Sequence, residues 1–162
     1  NDDRFPLSAY STDTGVVIWH DMIDPYVKNK ELWWCPCSKV GKFDSNGSVT
    51  SHFGYNARYL TNLTLDFSNL ATQQAVSSTM LEDPSNTVAL STAKSSIAGS
   101  WCGDDGKFLL RPSDPVEADC WGKPDANAPD KAIIAWADGH VSKKGLSQFY
   151  FGQDPIDRFF DL

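Results

Sequence analysis

The stretch AIIAWADGHVSKKG, from Ala132 to Gly145, puts Asp138, His140, Ser142, Lys143 and Lys144 within a few residues of one another. Imidazole titrates near neutrality, so His140 could serve as a general base. A nucleophile would have to come from elsewhere, because the chain has no Gly-x-Ser-x-Gly elbow. The other histidines are His20 and His52; no two stand at i, i+4, and none lies in a His-Glu-x-x-His pattern. The same stretch also reads as plain structure. Asp138-Gly139 separates apolar AIIAWA from HVSKK, and Asp-Gly is the favoured filling of a two-residue type I′ turn. That turn pairs Ala137 with His140, Trp136 with Val141 and Ala135 with Ser142. Ile134, Trp136 and Val141 then share one face, and His140, Ser142 and Lys144 share another. On this reading Trp136, Asp138, Gly139, His140 and Val141 build a structural hairpin, His140 is a turn histidine, and the chain is not an enzyme.

Carboxylates are the next candidates. Asp125, Asn127 and Asp130 in PDANAPD alternate in a Pro-rich loop, the kind of oxygen supply that calcium takes. Asp2-Asp3 and Asp104-Asp105 are further acidic pairs. None fits the twelve-residue calcium loop, and solvated turns account for the same residues, so no cofactor is required and calcium is the one ion worth testing. The cysteines are Cys35, Cys37, Cys102 and Cys120. They could form a thiolate zinc site, but a single residue between Cys35 and Cys37 is short for zinc knuckles. Two disulfides are the alternative, with Cys35 and Cys37 each reaching Cys102 or Cys120, since bridging across one residue is strained. A Cys35–Cys102 bridge would stabilise by about 4 kcal/mol through loop-closure entropy, and disulfides place a protein outside the cytosol. Trp33-Trp34 is the best candidate for an exposed carbohydrate platform, whereas Trp19 and Trp136 sit in core-like patterns. Asn46-Gly-Ser and Asn62-Leu-Thr fit the N-glycosylation acceptor pattern.

The elements that must hold these residues follow from patterning. The 162 residues suffice for one domain burying roughly 70% of its unfolded surface. Hydrophobic residues make up 41% and charged residues 22%, a globular rather than disordered balance. The net charge of −7 and the lack of a long basic run argue against nucleic acid and anionic membranes. No stretch approaches 18 apolar residues, and the chain starts at Asn1 without Met, which suggests a mature or truncated form.

NDDRFPLSAYSTDTG reads as a loop. Trp19, Met22, Ile23, Tyr26 and Val27 mark one face of a helix that Pro25 shortens or kinks before Asn29. HFGYNARYL reads as a strand after the turn DSNGSVTS, and residues 61–82 as a polar surface insertion. NTVALSTA is β-rich, WCGDDGKFLLRPSDP gives turn, strand and turn, and KPDANAPDK is a loop. AIIAWA is apolar on both faces, as in a strand covered by something large. The fold class expected is α+β, a single domain over 1–162 with an antiparallel sheet, short helices and long loops.

Six patterns in order, DRFP, WHDMIDPYVKN, LWWCPCS, FGYN, DPSNTVAL and AIIAWADGHV, resemble the globular part of bacterial type IV pilin-like proteins and type II secretion pseudopilins. The nearest group is named for a His, nine residues and Asp-Gly. Trp19 with Asp24-Pro25-Tyr26-Val27 matches its helix before the Cys-Pro element at Cys35-Pro36. Phe53-Gly54-Tyr55-Asn56 matches its strand start, and Ala137 to Val141 its terminal hairpin. Ala128 stands where that group carries its histidine. The resemblance implies a non-catalytic structural subunit of an extracellular, bacterial surface filament, packed with copies of itself in a helical array. It also implies an N-terminal helix, from the same precursor or from a separate small chain, against which the sheet packs. A secreted or tip-located binding module for polysaccharide or a surface protein is the alternative. Some major pseudopilins bind calcium near their last strands, where KPDANAPDK lies here.

Overall fold

Short apolar and β-branched runs set the sheet. In the computed structural model, residues 3–35, 51–62, 67–95, 109–110, 122–126, 130–149, 153–155 and 157–161 are described. Strands β1 (Ala9–Thr12) and β2 (Gly15–Ile18) form an antiparallel ribbon. It leads directly into α1 (Trp19–Ile23), whose first turn is held by Ile18 N–H donating to Asp21 Oδ2 at 3.1 Å. After these come β3 (Phe53–Tyr55), α2 (Ala57–Leu60), β4 (Val88–Ser95), β5 (Gly122–Pro124), β6 (Lys131–Trp136) and β7 (Val141–Gly145). The main sheet runs β3-β4-β6-β7, with β5 also on β4, and each of these strand pairings is antiparallel. With few and short helices beside antiparallel sheets, the architecture is α+β.

The two faces of the sheet carry separate clusters. Along β6, Ala132, Ile134 and Trp136 are buried, while Ile133 and Ala135 are half-buried. The first set packs with Val88, Ala93, Leu110, Phe149, Phe159 and Phe160. The opposite face of β3 and β4 packs Tyr55 and Leu90 with Trp19, Ala57, Leu60, Val76 and Leu81. A register shift between Val88 and Leu90 lets one strand feed both clusters: Val88 pairs with Trp136 and Leu90 with Ala135, so Ala89 is the extra residue of a bulge. Gly54 is required on the first face, since a Cβ there would lie 2.9 Å from the Leu110 side chain.

Asn56 locks the bulge. Its backbone N–H donates to Ala89 O at 3.0 Å, and its Nδ2 donates to Val88 O at 3.0 Å and Phe160 O at 2.8 Å. Because both neighbours of that end of the amide are carbonyls, it must be the NH2 end. The side chain is fully buried and joins the β3–α2 corner, β4 and the C-terminal turn. Thr92 makes a second junction where β6 leaves β4 and β5 takes over. Its Oγ1 donates to Asp125 O at 2.7 Å and accepts from Ile133 N at 3.1 Å.

Several expectations are corrected. The opening stretch is not simply a loop, because Thr12 Oγ1 accepts from Thr14 N and donates to Gly15 O, closing a turn between β1 and β2. Pro25 converts the helix to a 3₁₀ turn over Asp24–Tyr26, so the 3.6-residue period ends and Tyr26 is 85% exposed rather than on the apolar face. HFGYNARYL is strand only to Tyr55, after which Asn56 starts α2. Residues 61–82 are not merely a surface insertion: Thr61, Gln73, Val76 and Leu81 are buried. Gln73 is polar yet internal because its amide mimics a neighbouring strand, Oε1 accepting from Ser8 N at 3.0 Å and Nε2 donating to Ala9 O at 2.7 Å.

Replacing Asn56 by Ala strands the Val88 and Phe160 carbonyls. It also removes Oδ1, which is buried and accepts no bond from the described residues, and that offsets part of the loss. A net cost of about 1–3 kcal/mol is expected in urea unfolding of Asn56→Ala.

Candidate functional site

The β6–β7 hairpin holds most of the residues that could do chemistry, and its turn decides which face each one takes. Ala135 pairs with Val141, Ile134 with Ser142 and Ile133 with Lys143, one residue out of the expected register. Gly139 N–H donates to Trp136 O at 3.0 Å, and Trp136 N–H to His140 O at 2.9 Å. The loop is therefore Ala137-Asp138-Gly139, and only Gly139, at φ 93°, adopts a left-handed backbone. This is the three-residue hairpin with a glycine at its left-handed position, not the two-residue type I′ turn. A one-residue slip exchanges faces. Trp136 consequently lies opposite His140 and with Ser142 and Lys144, while Val141 points away and is 65% exposed.

On the inner face, Trp136 Nε1 donates to Ser142 Oγ at 2.7 Å. His140 stacks on the Trp136 ring at 5.6 Å and 17°, and Lys144 Nζ lies 3.8 Å from the Phe159 ring centroid and 5.7 Å from that of Trp136. Burial lowers the Lys144 pKa, and the Arg158 charge adds to the effect. Arg158 approaches the same Phe159 ring at 5.7 Å. Around the turn, Asp138 Oδ1 accepts from His140 N at 3.0 Å and lies 2.6 Å from His140 Nδ1. The backbone bond from His140, and then its side chain, hold the Asp138 carboxyl below the usual carboxylate range. A histidine oriented by a carboxylate resembles half of a base–nucleophile pair, but among the described residues no hydroxyl or thiol hydrogen-bonds to His140. The same contacts explain a rigid turn.

The outer face is different. Ile133 and Ala135 are half-buried, Val141 is exposed near the turn, and Lys131 and Lys143 are exposed toward the far end of the hairpin. Thus AIIAWA is not covered equally on both sides. Leu90, Ala89 and, just past the end of β6, Ala137 pack on the Trp19 cluster, whereas among the described residues Ile133, Ala135 and Val141 are not part of it.

The remaining candidates separate. His20 and His52 are buried. His52 Nδ1 accepts from Cys35 N at 2.9 Å, so its ring proton sits on Nε2. His20 packs against Trp19 and Trp33 and reaches Asp21 at 3.4 Å. Cys35 is buried and disulfide-bonded; Cys37, Cys102 and Cys120 lie outside the described residues. For calcium, Asn127 lies outside the described residues, Asp125 uses its backbone on Thr92, and Asp130 has a left-handed φ of 59°. Among the described residues no group of three His, Cys, Asp or Glu is placed to hold a metal. Asn62 is exposed with φ 50°, and Asn46 lies outside the described residues. Trp33 and Trp34 are not the exposed platform expected: both are half-buried. Trp33 packs edge-on to Trp19 and donates to Asp24 Oδ1 at 3.1 Å, while Trp34 packs edge-on to His52.

Sequence reasoning missed Asn56, Lys144 and the outer face. The Lys144 contact was recoverable, since a three-residue loop around the same Asp-Gly also places Lys144 opposite Ala132 on the Trp136 face. Comparison of the chain with family models, with curated proteins and with solved structures returns no match.

Because the folded-state pKa of Asp138 is depressed, its contribution to stability is complete above the unfolded value near 3.8 and is lost as pH falls through the folded value. The urea midpoint of the parent should exceed that of Asp138→Asn by a constant margin above pH 5, and the two should converge below pH 4. A margin that grows with acid would contradict this assignment.

Proposed function

We propose that this chain is the non-catalytic head domain of a bacterial surface-filament subunit of the type IV pilin and pseudopilin kind, packed through its sheet on a helix. One observation carries the reading: Ile133, Ala135 and Val141 form an apolar strip on the sheet face that the Trp19 cluster covers over β3, β4 and Ala137, and among the described residues the strip is not part of that cluster. Two strands are about 10 Å wide, and a helix with its side chains is about 10–12 Å across. A single helix therefore fits this strip better than a second sheet does. The helix belongs to the same precursor or to a separate small chain, and copies of the head repeat around the assembled helices by heterologous contacts that do not close.

The Cys35 disulfide supports an extracellular setting. The half-burial of Trp33 and Trp34 weighs against an adhesin-like polysaccharide platform. His140 acts in this reading as a turn residue held between Trp136 and Asp138.

The test is made in the producing organism. The coding sequence upstream of Asn1, or an adjacent small gene, is expected to supply an apolar helix of about 20 residues. An epitope tag on the chain should then appear in the filament fraction sheared from cells and vanish from it when that helix is deleted. Recovery of the tag solely as free monomer, with the helix intact, would contradict the proposal.

A further inference from the structure

The outer face of the hairpin has a polarity that the helix seat alone does not require. Ala135 and Val141 form its apolar end beside the turn, and Ile133 continues the strip. Lys131 and Lys143 stand at the far end: Lys143 pairs with Ile133 and Lys131 with Gly145, so the lysines are diagonal neighbours about 7–8 Å apart. Both are exposed, and among the described residues neither is ion-paired. The adjacent carboxylate, Asp130, sits in a left-handed turn just before Lys131 and makes no ion pair to it. Two exposed ammonium groups thus stand at one end of an apolar strip in a chain of net charge −7.

We infer that the helix seated on this face carries two carboxylates opposite Lys131 and Lys143, which fix its direction and register. This rests on the reading of the face as a helix seat. From Ala135 to Lys131 the strand rises about 13 Å, a distance a helix covers in about nine residues. The partner is therefore an amphipathic helix with about two turns of apolar stripe, ending in a pair of Asp or Glu residues spaced i, i+3 or i, i+4. Such a pair spans about 5–6 Å on a helix surface and reaches both lysines. Docked in the opposite direction, the carboxylates would meet Ala135 and Val141 and lose water without gaining a partner.

The test uses the 162-residue chain and synthetic helical peptides with one apolar stripe, ending in two Glu, two Gln or two Lys at i, i+4. Each is made with that pair at either end, and binding is followed by fluorescence anisotropy. The Glu peptide, with its charges at one particular end, should bind about three- to tenfold more tightly than the Gln peptide, and the Lys peptide more weakly than both. The advantage should disappear in Lys131→Gln/Lys143→Gln, whose positions are exposed, and in 0.5 M salt. Equal binding of Glu and Gln peptides would overturn the inference while leaving the seat intact. Binding by no peptide would overturn the seat and the inference together.

Discussion

The side-chain amide of Asn56 joins three parts of the chain that are remote in sequence. One NH2 group serves Val88 O and Phe160 O, and the backbone N–H beside it serves Ala89 O. A bulge exposes carbonyls that a regular ladder would pair, and buried carbonyls left unpaired cost free energy. Asn56 meets that demand, and so permits β4 to turn Val88 toward one cluster and Leu90 toward the other. A hydrophobic residue at position 56 could fill the space but could not supply two donors.

Once β4 feeds both faces, the rest of the hairpin is constrained. The face containing Trp136 is closed by Phe149, Phe159 and Phe160, with Lys144 laid over the Phe159 ring. Lysine can do this because its methylene stem is apolar and its ammonium favours the ring face. The other face is closed over β3, β4 and Ala137 by the Trp19 cluster, which among the described residues does not include Ile133, Ala135 or Val141. In the proposed function, this asymmetric cover of one sheet is what would leave the apolar strip as a seat for a helix.

Much of this was legible in the sequence, for physical reasons that vary by element. The β4 and β6 strands are readable because NTVALSTA and AIIAWA are short apolar and β-branched runs bounded by turn residues. The break at Pro25 is readable because the ring cannot continue a helix. The register of the terminal hairpin was not: Asp-Gly suits either a two-residue loop or the last two positions of a three-residue loop, and packing of Trp136 against Phe159 selects the second. Gln73 was read as surface because glutamine usually is, and its burial depends on a long-range partner, the edge of β1, that local pattern cannot reveal. Asn56 was read within the strand HFGYNARYL, and its role stayed hidden for the same reason, with Phe160 104 positions away.

The central claim is that the outer face of β6 and β7 is open in the isolated domain and covered in the working protein. Single cysteines at Val141 and, as a buried reference, at Ala132 allow that to be measured directly with a thiol reagent. The account predicts fast labelling at position 141 in the isolated domain, strong protection there in the assembled protein recovered from cells, and slow labelling at 132 in both. Equal, fast labelling at 141 in the isolated and assembled forms would contradict it.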